Sequence, residues 1–398
     1  MKLTLIHQHD PTIAHVGGIG TFINTFIGNA PEDLEVHLIG VTSQADQFRV
    51  GHWHSLSLGG RAFRFFPMLE TNPVHVPTIP LSFRILWSLL RYRNKLDFQD
   101  SIIECHRIEP LLAFLGDRNP KVCFLHGNNM KDFYNPQTEV RWGRFPALYF
   151  KLEQWLLPKF DHIYIVREDA IAAYQARYQD KAVDISFLPT WVDEGIFFAM
   201  DEEERSALKE KLVAEQSVSA ERIFLFVGRF EGQKDPFRLL QAFNRIKAEG
   251  VDAALILIGD GALKADLQEF VRQNGLDAVV RFLPPLSQQG IAQWMNVADA
   301  LCLSSAFEGM PRVVVESLHC GLPVVTTAAG ESWRLIGDEK GGRLVTEPGI
   351  EAFANGMIDM LNKPPSRASC RQQVEEFTAK KVLTPVYRYY RDLLRRRQ

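Results

Sequence analysis

The sequence has few of the features that mark several protein classes. Only five of its 398 residues are cysteines, and their spacing fits neither a zinc site nor a redox motif. We therefore expect free, buried thiols in a reducing compartment. No stretch approaches eighteen uncharged apolar residues, and the N-terminal segment lacks the layout of a signal peptide. The sequence thus predicts a cytoplasmic protein without a membrane-spanning helix.

An excess of charge of either sign is also missing. The chain carries 45 basic and 48 acidic residues, and its net charge of −3 gives no reason to expect a nucleic-acid partner. Hydrophobic residues make up 46% of the chain, which is typical of a globular protein. The length allows two domains, each with its own core.

The second half of the chain alternates short β-rich runs with helical patterns. The predicted strands are 223–227, 254–258, 280–283, 300–304, 324–326 and 343–345. The predicted helices are 236–249, 262–274, 311–320 and 349–362. This alternation predicts a parallel sheet covered by helices on both faces. Ligands of such sheets bind at the carboxyl ends of the strands.

The first half repeats this pattern less clearly. Its predicted strands are 3–7, 36–41, 101–105, 122–125 and 162–166. The long segments 51–80 and 128–144 follow no pattern that we can assign. We place the domain boundary near residue 200, with a first domain at 1–200 and a second at 201–379. A C-terminal helix within 380–398 is expected to pack back on the first domain.

A glycine-rich turn follows the first predicted strand. Gly17, Gly18 and Gly20 would let the backbone approach a phosphate at the start of a helix predicted for 21–29. The run is not a dinucleotide fingerprint, because Ile23 stands where the third glycine belongs. A tight turn without a ligand is the alternative interpretation.

Two motifs of the second half carry charged residues at strand ends. Arg229 and Lys234 follow a strand and could hold a diphosphate. Glu308 lies in a later loop, and Glu316 lies in the apolar helix after it, where a carboxylate needs a partner such as a ribose diol or a neighbouring cation. Pro311 suits the first helical turn, so the amides near Gly309 and Met310 would point at an anion. 

The run from Glu308 to Glu316, continued by residues 319–325, resembles the signature of the retaining glycosyltransferase family 4. Further resemblance lies at residues 17–20, 125–127, 188–193, 228–234, 258–261, 282–283 and 341–345. The resemblance implies an α/β protein of the GT-B fold, with two Rossmann-like domains whose parallel sheets face a central cleft. It also implies an acceptor-binding first domain and a nucleotide-sugar-binding second domain.

The family resemblance also implies roles for individual residues. Arg229 and Lys234 would neutralise the leaving diphosphate, which the Gly17 and Gly18 amides would also approach. Glu308 would contact a hydroxyl of the donor sugar, and Glu316 would bind the ribose. His126 would lie beside the sugar at the reacting centre, with a buried structural histidine as its alternative. The donor would be UDP- or GDP-linked, the acceptor a glycan or a lipid-linked intermediate, and no metal or other cofactor is expected.

Other interpretations remain open at this point. A GT-B epimerase or hydrolase would turn over the donor without an acceptor, and a non-catalytic scaffold would only bind nucleotide. His7, His9 and Asp10 alternate like metal ligands, although such spacing at a strand end is usually unremarkable. The departures from the family pattern are Trp191, where a small residue is usual, and Arg167-Glu168, which replaces Ser-Glu. Helical patterns at 83–96 and 141–160 combine basic and aromatic residues, which predicts either contact with an anionic membrane or ordinary packing on the core.

Overall fold

The computed structural model describes residues 1–13, 18–71, 81–126, 146–178 and 183–396 of the chain. These residues form two compact units. The first unit comprises Met1–Pro189 together with Ala379–Gln398, and the second comprises Thr190–Thr378.

The first unit is built on a sheet of eight strands. These are β1 (Lys2–Ile6), β2 (Glu35–Thr42), β3 (His54–Leu58), β4 (Arg61–Glu70), β5 (Ser101–Cys105), β6 (Lys121–Leu125), β7 (His162–Ile165) and β8 (Ile185–Phe187). Their order is β3-β4-β2-β1-β5-β6-β7-β8, and all neighbours are parallel except β3 and β4. Among the described residues before Pro189, the helices that accompany the sheet are α1 (Gly18–Gly28), α2 (Leu81–Tyr92), α3 (Pro146–Leu156) and α4 (Glu168–Arg177). Short 3-10 turns lie at Arg93–Lys95, Glu109–Phe114 and Leu157–Lys159.

The five strands predicted for the first half are present, but β3, β4 and β8 were not predicted. β3 and β4 form a hairpin inside the segment 51–80, and Leu58 pairs with Arg61 across its turn. Gly59 and Gly60 occupy that turn with φ angles of 56° and 81°. A two-residue turn with both φ angles positive matches the twist of a hairpin, and glycine adopts it without strain. The Gly-Gly pair was therefore a hairpin signal that the sequence analysis missed.

The second unit has a sheet of six parallel strands. These are β9 (Arg222–Val227), β10 (Ala253–Ile258), β11 (Val280–Leu283), β12 (Ala300–Leu303), β13 (Val324–Thr327) and β14 (Gly342–Val345), in the order β11-β10-β9-β12-β13-β14. Its helices are α5 (Glu202–Glu215), α6 (Pro236–Ala248), α7 (Lys264–Gln273), α8 (Gln288–Val297), α9 (Arg312–His319), α10 (Ser332–Ile336), α11 (Ile350–Asn362) and α12 (Arg367–Gln373). All six predicted strands are confirmed to within one residue at each end.

The burial of the second sheet explains why its strands were easy to predict. β10 is buried at every position, and its side chains pack with those of β9 and α6 in one core. A strand covered on both faces reads as a continuous apolar run rather than an alternating one. That run is interrupted only where the chain leaves the sheet, so the strand ends are visible in the sequence.

The last helix, α13 (Ala379–Arg395), belongs to the first unit. The Tyr387 hydroxyl donates to the Phe26 carbonyl of α1 at 2.5 Å, and the Tyr390 hydroxyl donates to the Glu104 carboxylate of β5 at the same distance. Both phenol rings are buried. These bonds tie the end of the chain to two elements near its beginning.

The division between the units lies at residue 189, earlier than the position near 200 that the sequence suggested. Val192 forms a β-bridge with Thr378, and its amide donates to the Phe377 carbonyl at 2.9 Å. This contact joins the two ends of the second unit. The acidic run after residue 200 begins helix α5, where the Asp201 side chain caps the helix by accepting from the Glu204 amide at 2.9 Å.

No helix within the described ranges is long and apolar enough to cross a bilayer.

Candidate functional site

The candidate site of the second unit lies where the strand order reverses. β10 and β11 lie on one side of β9, whereas β12, β13 and β14 lie on the other. The loops that leave β9 and β12 therefore flank a topological switch point, which is where open parallel sheets bind ligands. Residues 228–235 form the first loop and residues 304–311 form the second.

A close ion pair joins these two loops. Lys234 Nζ lies 2.5 Å from Glu308 Oε1, and Ser305 Oγ donates to the same carboxylate oxygen at 2.6 Å. The Glu308 side chain is 8% exposed and that of Lys234 is 17% exposed. Because both charges are largely removed from water, the pair orients each partner more firmly than an exposed ion pair would.

Backbone contacts hold the same two loops together. The Ala306 amide donates to the Gln233 carbonyl at 2.8 Å, and the Gln233 side chain donates to the Phe307 carbonyl at 3.3 Å. Ser304 Oγ lies within 3.1 Å of the Lys234 carbonyl and donates to it. Main-chain and side-chain hydrogen bonds therefore join the two loops, in addition to the ion pair.

A third loop, which follows β13, packs against the backbone of Glu308 and Gly309. The Glu331 amide donates to the Gly309 carbonyl at 2.8 Å. Gly330 has a φ of +57°, and a Cβ atom added there would lie 2.1 Å from the Gly309 carbonyl oxygen and 2.4 Å from that of Glu308. Only glycine fits this close approach.

Arg229 is the more accessible of the two predicted phosphate-binding cations. Its side chain is 41% exposed, and Nη1 lies 2.6 Å from the Glu231 carboxylate. Nη2 also donates to the Gln233 side chain at 3.2 Å. A half-exposed guanidinium with such partners can exchange one of them for a phosphate oxygen.

Glu316 is paired with a cation that the sequence analysis did not name. Arg312 Nε donates to Glu316 Oε1 at 2.7 Å, one helical turn away on α9. Both side chains are nearly buried, 8% and 10% exposed. Burial raises the pKa of the Glu316 carboxyl, whereas the charge and the hydrogen bond of Arg312 lower it. The structure thus supports the neighbouring-cation interpretation.

The start of α9 differs by one residue from the prediction. Pro311 is the N-cap in an extended conformation, and the helix begins at Arg312, so the placement of Pro311 inside the first turn was wrong. The proline ring fixes φ near the observed −71°, which a helix would also accept, and the ψ of 108° is what places Pro311 outside the helix. Met310 is buried, and its sulfur lies 3.3 Å from the Thr190 amide. Gly309 and Met310 remain at the end of the loop, adjacent to Glu308.

In the first unit, His126 follows β6 and is part of a hydrogen-bonded cluster. Its Nε2 lies 2.8 Å from Nδ1 of His106, which follows β5. The His106 Nε2 lies 3.0 Å from Glu104 Oε1. Burial, followed by the neighbouring His106, holds the pKa of the His126 imidazole well below its usual range. His126 is therefore a neutral imidazole that can accept or donate.

The glycine turn is only partly described. Gly18 is the first residue of α1, which begins three residues before the predicted start at Thr21. Gly17 lies outside the described residues, as do residues 127–145, which contain the whole unassigned loop 128–144 and the first residues of the predicted helix 141–160.

The alternating histidines after β1 do not converge with Asp10. The Asp10 carboxylate accepts from the hydroxyl groups of Thr12 and Ser43 at 2.5 and 2.9 Å, and His9 Nε2 lies 2.7 Å from the Asn24 side-chain oxygen. Within the part of the chain that the structure describes, no three His, Cys, Asp or Glu residues are grouped as metal ligands.

Sequence reasoning missed Ser305, Arg312, Glu104 and His106. Two of these left a visible signal, because Glu104 is the lone charge in the apolar strand β5 and His106 follows at its carboxyl end. Ser305 and Arg312 left none, since a serine in a loop and an arginine at a helix start are common on any surface.

Comparisons with known proteins agree with this geometry. Residues 209–377 match the family described as Glycosyl transferases group 1. The D-inositol 3-phosphate glycosyltransferase of Jonesia denitrificans is 28% identical over 179 residues. That match covers 42% of this chain and 42% of the relative, so the chain spans well under half the length of this curated protein.

Two solved structures match almost the whole chain. The sucrose-phosphate synthase of Thermosynechococcus elongatus superposes with a TM-score of 0.81 at 18% identity, over 99% of each chain. HepE of Anabaena, in complex with UDP-glucose, superposes with a TM-score of 0.69 at 17% identity, over 100% of each chain. These likenesses confirm the predicted GT-B fold class with two parallel-sheet α/β domains.

Proposed function

We propose that this chain, whose residues 209–377 match the family described as Glycosyl transferases group 1, transfers a sugar from a nucleotide diphosphate donor to an acceptor hydroxyl. The observation that carries this proposal is the Lys234–Glu308 pair at the switch point of the second sheet, 2.5 Å apart. A cation for a leaving diphosphate and a carboxylate for the sugar lie side by side there.

The proposed reaction retains the anomeric configuration. The bond between the anomeric carbon and the diphosphate oxygen breaks, and the acceptor oxygen forms a bond to the same carbon from the same face. The acceptor proton passes to the leaving phosphate oxygen. Arg229 and Lys234 stabilise the negative charge of the departing diphosphate, and Glu308 stabilises the positive charge that develops on the sugar.

Lys234 can serve two partners at once. An ammonium group has three N–H donors, and one of them is directed at Glu308. The remaining donors are available to a phosphate oxygen, so donor binding does not require the ion pair to break. With two cations in place, we propose that the reaction needs no metal ion or other cofactor.

The substrates belong to this proposal as well. We propose a UDP- or GDP-linked sugar as the donor, with its ribose held by Glu316 and its diphosphate approached by the Gly17–Gly18 turn and by the amides near Gly309, Met310 and Pro311. His126 contacts the transferred sugar. The acceptor is a glycan or a lipid-linked intermediate of polysaccharide or cell-envelope synthesis, and the enzyme works in the cytoplasm.

The decisive experiment measures donor turnover with and without an acceptor. The purified chain is incubated with UDP- and GDP-linked sugars, with a mixture of glycan and lipid-linked acceptors, and with EDTA as a parallel condition. Nucleotide diphosphate release that depends on acceptor and survives EDTA supports the proposal. Release without acceptor indicates a hydrolase, a changed donor sugar indicates an epimerase, and binding without any turnover indicates a scaffold.

We also propose that the first unit contacts an anionic membrane at the inner face of the cell. On α2, Phe83, Trp87 and Leu90 recur at helical spacing and are 46%, 71% and 51% exposed, whereas Ile85 and Leu89 are buried in the core. An exposed apolar stripe of this size on a helix that already packs its other face indicates a binding surface.

The basic residues that this surface needs lie on the same helix and in the 3-10 turn that follows α3. Arg84 and Arg91 lie beside the stripe of α2, on one side of it. On α3, Leu148 and Trp155 are 59% and 48% exposed, and the Lys159 ammonium lies 5.3 Å from the centre of the Trp155 ring. Lysine and arginine beside exposed tryptophan are the combination that binds anionic headgroups.

A further inference from the structure

A chain of four hydrogen-bonded side chains runs from the last helix to His126. The Tyr390 hydroxyl donates to Glu104 Oε2 at 2.5 Å, and Glu104 Oε1 lies 3.0 Å from His106 Nε2. The His106 Nδ1 in turn lies 2.8 Å from His126 Nε2. Tyr390 and Glu104 are fully buried and His106 is 5% exposed.

Aromatic packing fixes the two imidazole rings. The His106 ring lies nearly parallel to the rings of Phe124 and His126, with centres 5.1 Å apart in each case and interplanar angles of 13° and 10°. The hydrogen bond between the two imidazoles places them edge to edge in nearly one plane. Phe22 meets the His126 ring edge-on, with centres 4.8 Å apart. Because the rings cannot rotate freely, the remaining freedom is which nitrogen of each ring carries the hydrogen.

The charge of Glu104 determines which nitrogen carries the hydrogen in His106 and in His126. When Glu104 is a carboxylate, His106 must donate from Nε2, so its Nδ1 accepts the Nε2 hydrogen of His126. His126 Nδ1 then carries a lone pair. When Glu104 is protonated, Oε1–H donates to His106 Nε2, His106 Nδ1–H donates to His126 Nε2, and His126 Nδ1 carries the hydrogen.

The two states differ by a single proton. The state with the lone pair holds one hydrogen on each imidazole, and the other state holds an additional hydrogen on the Glu104 carboxyl. Burial raises the pKa of Glu104 to about 8, and the Tyr390 hydrogen bond opposes this shift. Burial lowers the pKa of His106 to about 3, so that ring stays neutral in both states. Both states are therefore accessible near neutral pH.

Further titratable and charged groups surround these side chains. Among the described residues they include the imidazoles of His7 and His9, the guanidinium of Arg107, the thiols of Cys105 and Cys123, the phenols of Tyr164 and Tyr387, and, beyond the thiols, Glu109, Lys121 and Glu153. Burial keeps His7 neutral and raises the pKa of both thiols and both phenols. Glu104 is thus the group of this cluster that changes charge near pH 8.

We propose that Glu104, acting through His106, sets the tautomer of His126 and so decides whether its Nδ1 accepts or donates a hydrogen bond to the bound sugar. Glu104, His106 and Tyr390 are positioning residues in this proposal. The step from tautomer to sugar contact rests on the proposed function. The hydrogen-bonded relay itself rests only on contacts within the first unit.

The place of the relay in the fold supports a functional role. His106 follows β5 and His126 follows β6, and β5 lies beside β1, where the strand order of the first sheet reverses. The relay therefore ends at the ligand-binding edge of the sheet. A purely structural cluster would not need a buried carboxylate there, since removing such a charge from water is costly.

The test reads the tautomers directly. The full chain is labelled with 15N histidine, and nitrogen shifts of His106 and His126 are followed from pH 6.5 to 9.5, with assignment from His106→Asn and His126→Asn. In the wild type, His126 Nδ1 should lose its hydrogen as the pH rises through about 8. In Glu104→Gln, the Tyr390 hydroxyl donates to the amide oxygen, so the amide NH2 group donates to His106 Nε2. His106 Nδ1 then carries a hydrogen and donates it to His126 Nε2, and His126 Nδ1 keeps its hydrogen at every pH.

Two phenol variants sharpen this test. Tyr390→Phe removes the hydrogen bond that stabilises the Glu104 carboxylate, so the tautomer change should move to higher pH. Tyr387→Phe removes an equally buried hydroxyl of the same helix, whose partner is the Phe26 carbonyl, and should leave the midpoint unchanged. A midpoint that moves equally in both variants would overturn the relay.

Enzyme assays separate this inference from the proposed function. In an active enzyme, kcat should change with the same midpoint as the tautomer, and Glu104→Gln should flatten that change while KM for the donor stays within about twofold. An active enzyme whose His126 tautomer is the same at every pH would overturn the relay alone. A protein that shows the tautomer change but transfers no sugar would overturn the proposed function alone.

Discussion

The Lys234 ammonium and the Glu308 carboxylate are 2.5 Å apart, although 74 residues separate them in the chain. The reversal of strand order between β9 and β12 brings their loops together, and Ser305 holds the shared carboxylate oxygen from the other side. The two charged motifs of the second half are therefore one site. A substitution at Lys234 or Glu308 therefore also changes the environment of its partner.

Arg229→Ala and Lys234→Ala should both weaken binding of UDP or GDP, by about 1.5–3 kcal/mol each, since each removes a charge-assisted hydrogen bond. They should differ in stability. Lys234→Ala removes the cation paired with the largely buried Glu308 carboxylate and should lower the free energy of unfolding. Arg229→Ala should leave the free energy of unfolding unchanged, because the Arg229 side chain is half-exposed. Calorimetry and urea unfolding measure both quantities. Lys211→Ala, on the exposed face of α5, is the control, and unchanged nucleotide affinity in both variants would remove them from the site.

Glu308→Gln and Glu316→Gln should change different kinetic parameters. Glu308→Gln should lower kcat by about 100-fold, since a carboxylate near developing positive charge acts mainly in the transition state. Glu316→Gln should instead weaken donor binding by about 10-fold, because ribose contacts are similar before and during reaction. Steady-state kinetics with the preferred donor separate the two. Full activity of Glu308→Gln would exclude its catalytic role.

The configuration of the product tests the proposed stereochemistry. Retention predicts that the new glycosidic linkage has the anomeric configuration of the donor sugar. Proton NMR of the product reads this directly from the coupling at the anomeric carbon. An inverted linkage would exclude same-face transfer.

Gly330→Ala should reduce activity without unfolding the protein. The added Cβ would press on the carbonyl oxygens of Glu308 and Gly309 and displace the catalytic loop. Gly250→Ala is a matched control, because Gly250 also has a positive φ of +85° but nothing within 4 Å of the added atom. Each variant should lose about 1 kcal/mol of stability from the left-handed backbone. Equal activity of the two variants would show that the loop contact does not matter.

Stability should be highest near pH 6.5 and should fall on both sides. Burial lowers the pKa values of His7, His106 and His126 in the folded state, so below about 6.5 the unfolded chain binds more protons and stability is lost as the pH falls. Burial raises the pKa of Glu104 to about 8, so between pH 6.5 and 8 the folded chain binds more protons and stability is lost as the pH rises. Glu104→Gln should abolish the fall on the alkaline side. Urea unfolding at several pH values measures the free energy of unfolding. If that free energy fell equally steeply from pH 6.5 to 8 in wild type and variant, Glu104 would not be the group responsible.

Membrane contact should depend on the exposed stripe of α2. Trp87→Ser should reduce co-sedimentation with vesicles that contain anionic phospholipid, because the Trp87 side chain is 71% exposed and would be lost from the stripe. Trp333→Ser, in the second unit and 57% exposed, is a matched loss of surface tryptophan and should have no effect. Wild-type protein that fails to sediment with these vesicles at low salt would refute the membrane proposal.

The sequence predicted the second unit more completely than the first, for a physical reason. Strands such as β10 are buried on both faces and read as apolar runs, whereas β3 alternates and was hidden in a long segment. In the site, Arg229, Lys234, Glu308 and Glu316 were found because charge at a strand end or in an apolar helix is conspicuous. The pairing of Lys234 with Glu308 and of Arg312 with Glu316 depends on how loops and turns fold in space, which residue types alone do not encode.

The return of α13 to the first unit makes the second unit an insertion between two pieces of another domain. Residues 190–378 are contiguous, so the second unit can fold as soon as it has been synthesised. The first unit must wait for Tyr387 and Tyr390, which reach the ribosome exit long after Phe26 and Glu104 have left it. Truncation within α13 would therefore destabilise the first unit, most of which lies at the other end of the chain. The second unit, which directly precedes α13 in sequence, would remain intact.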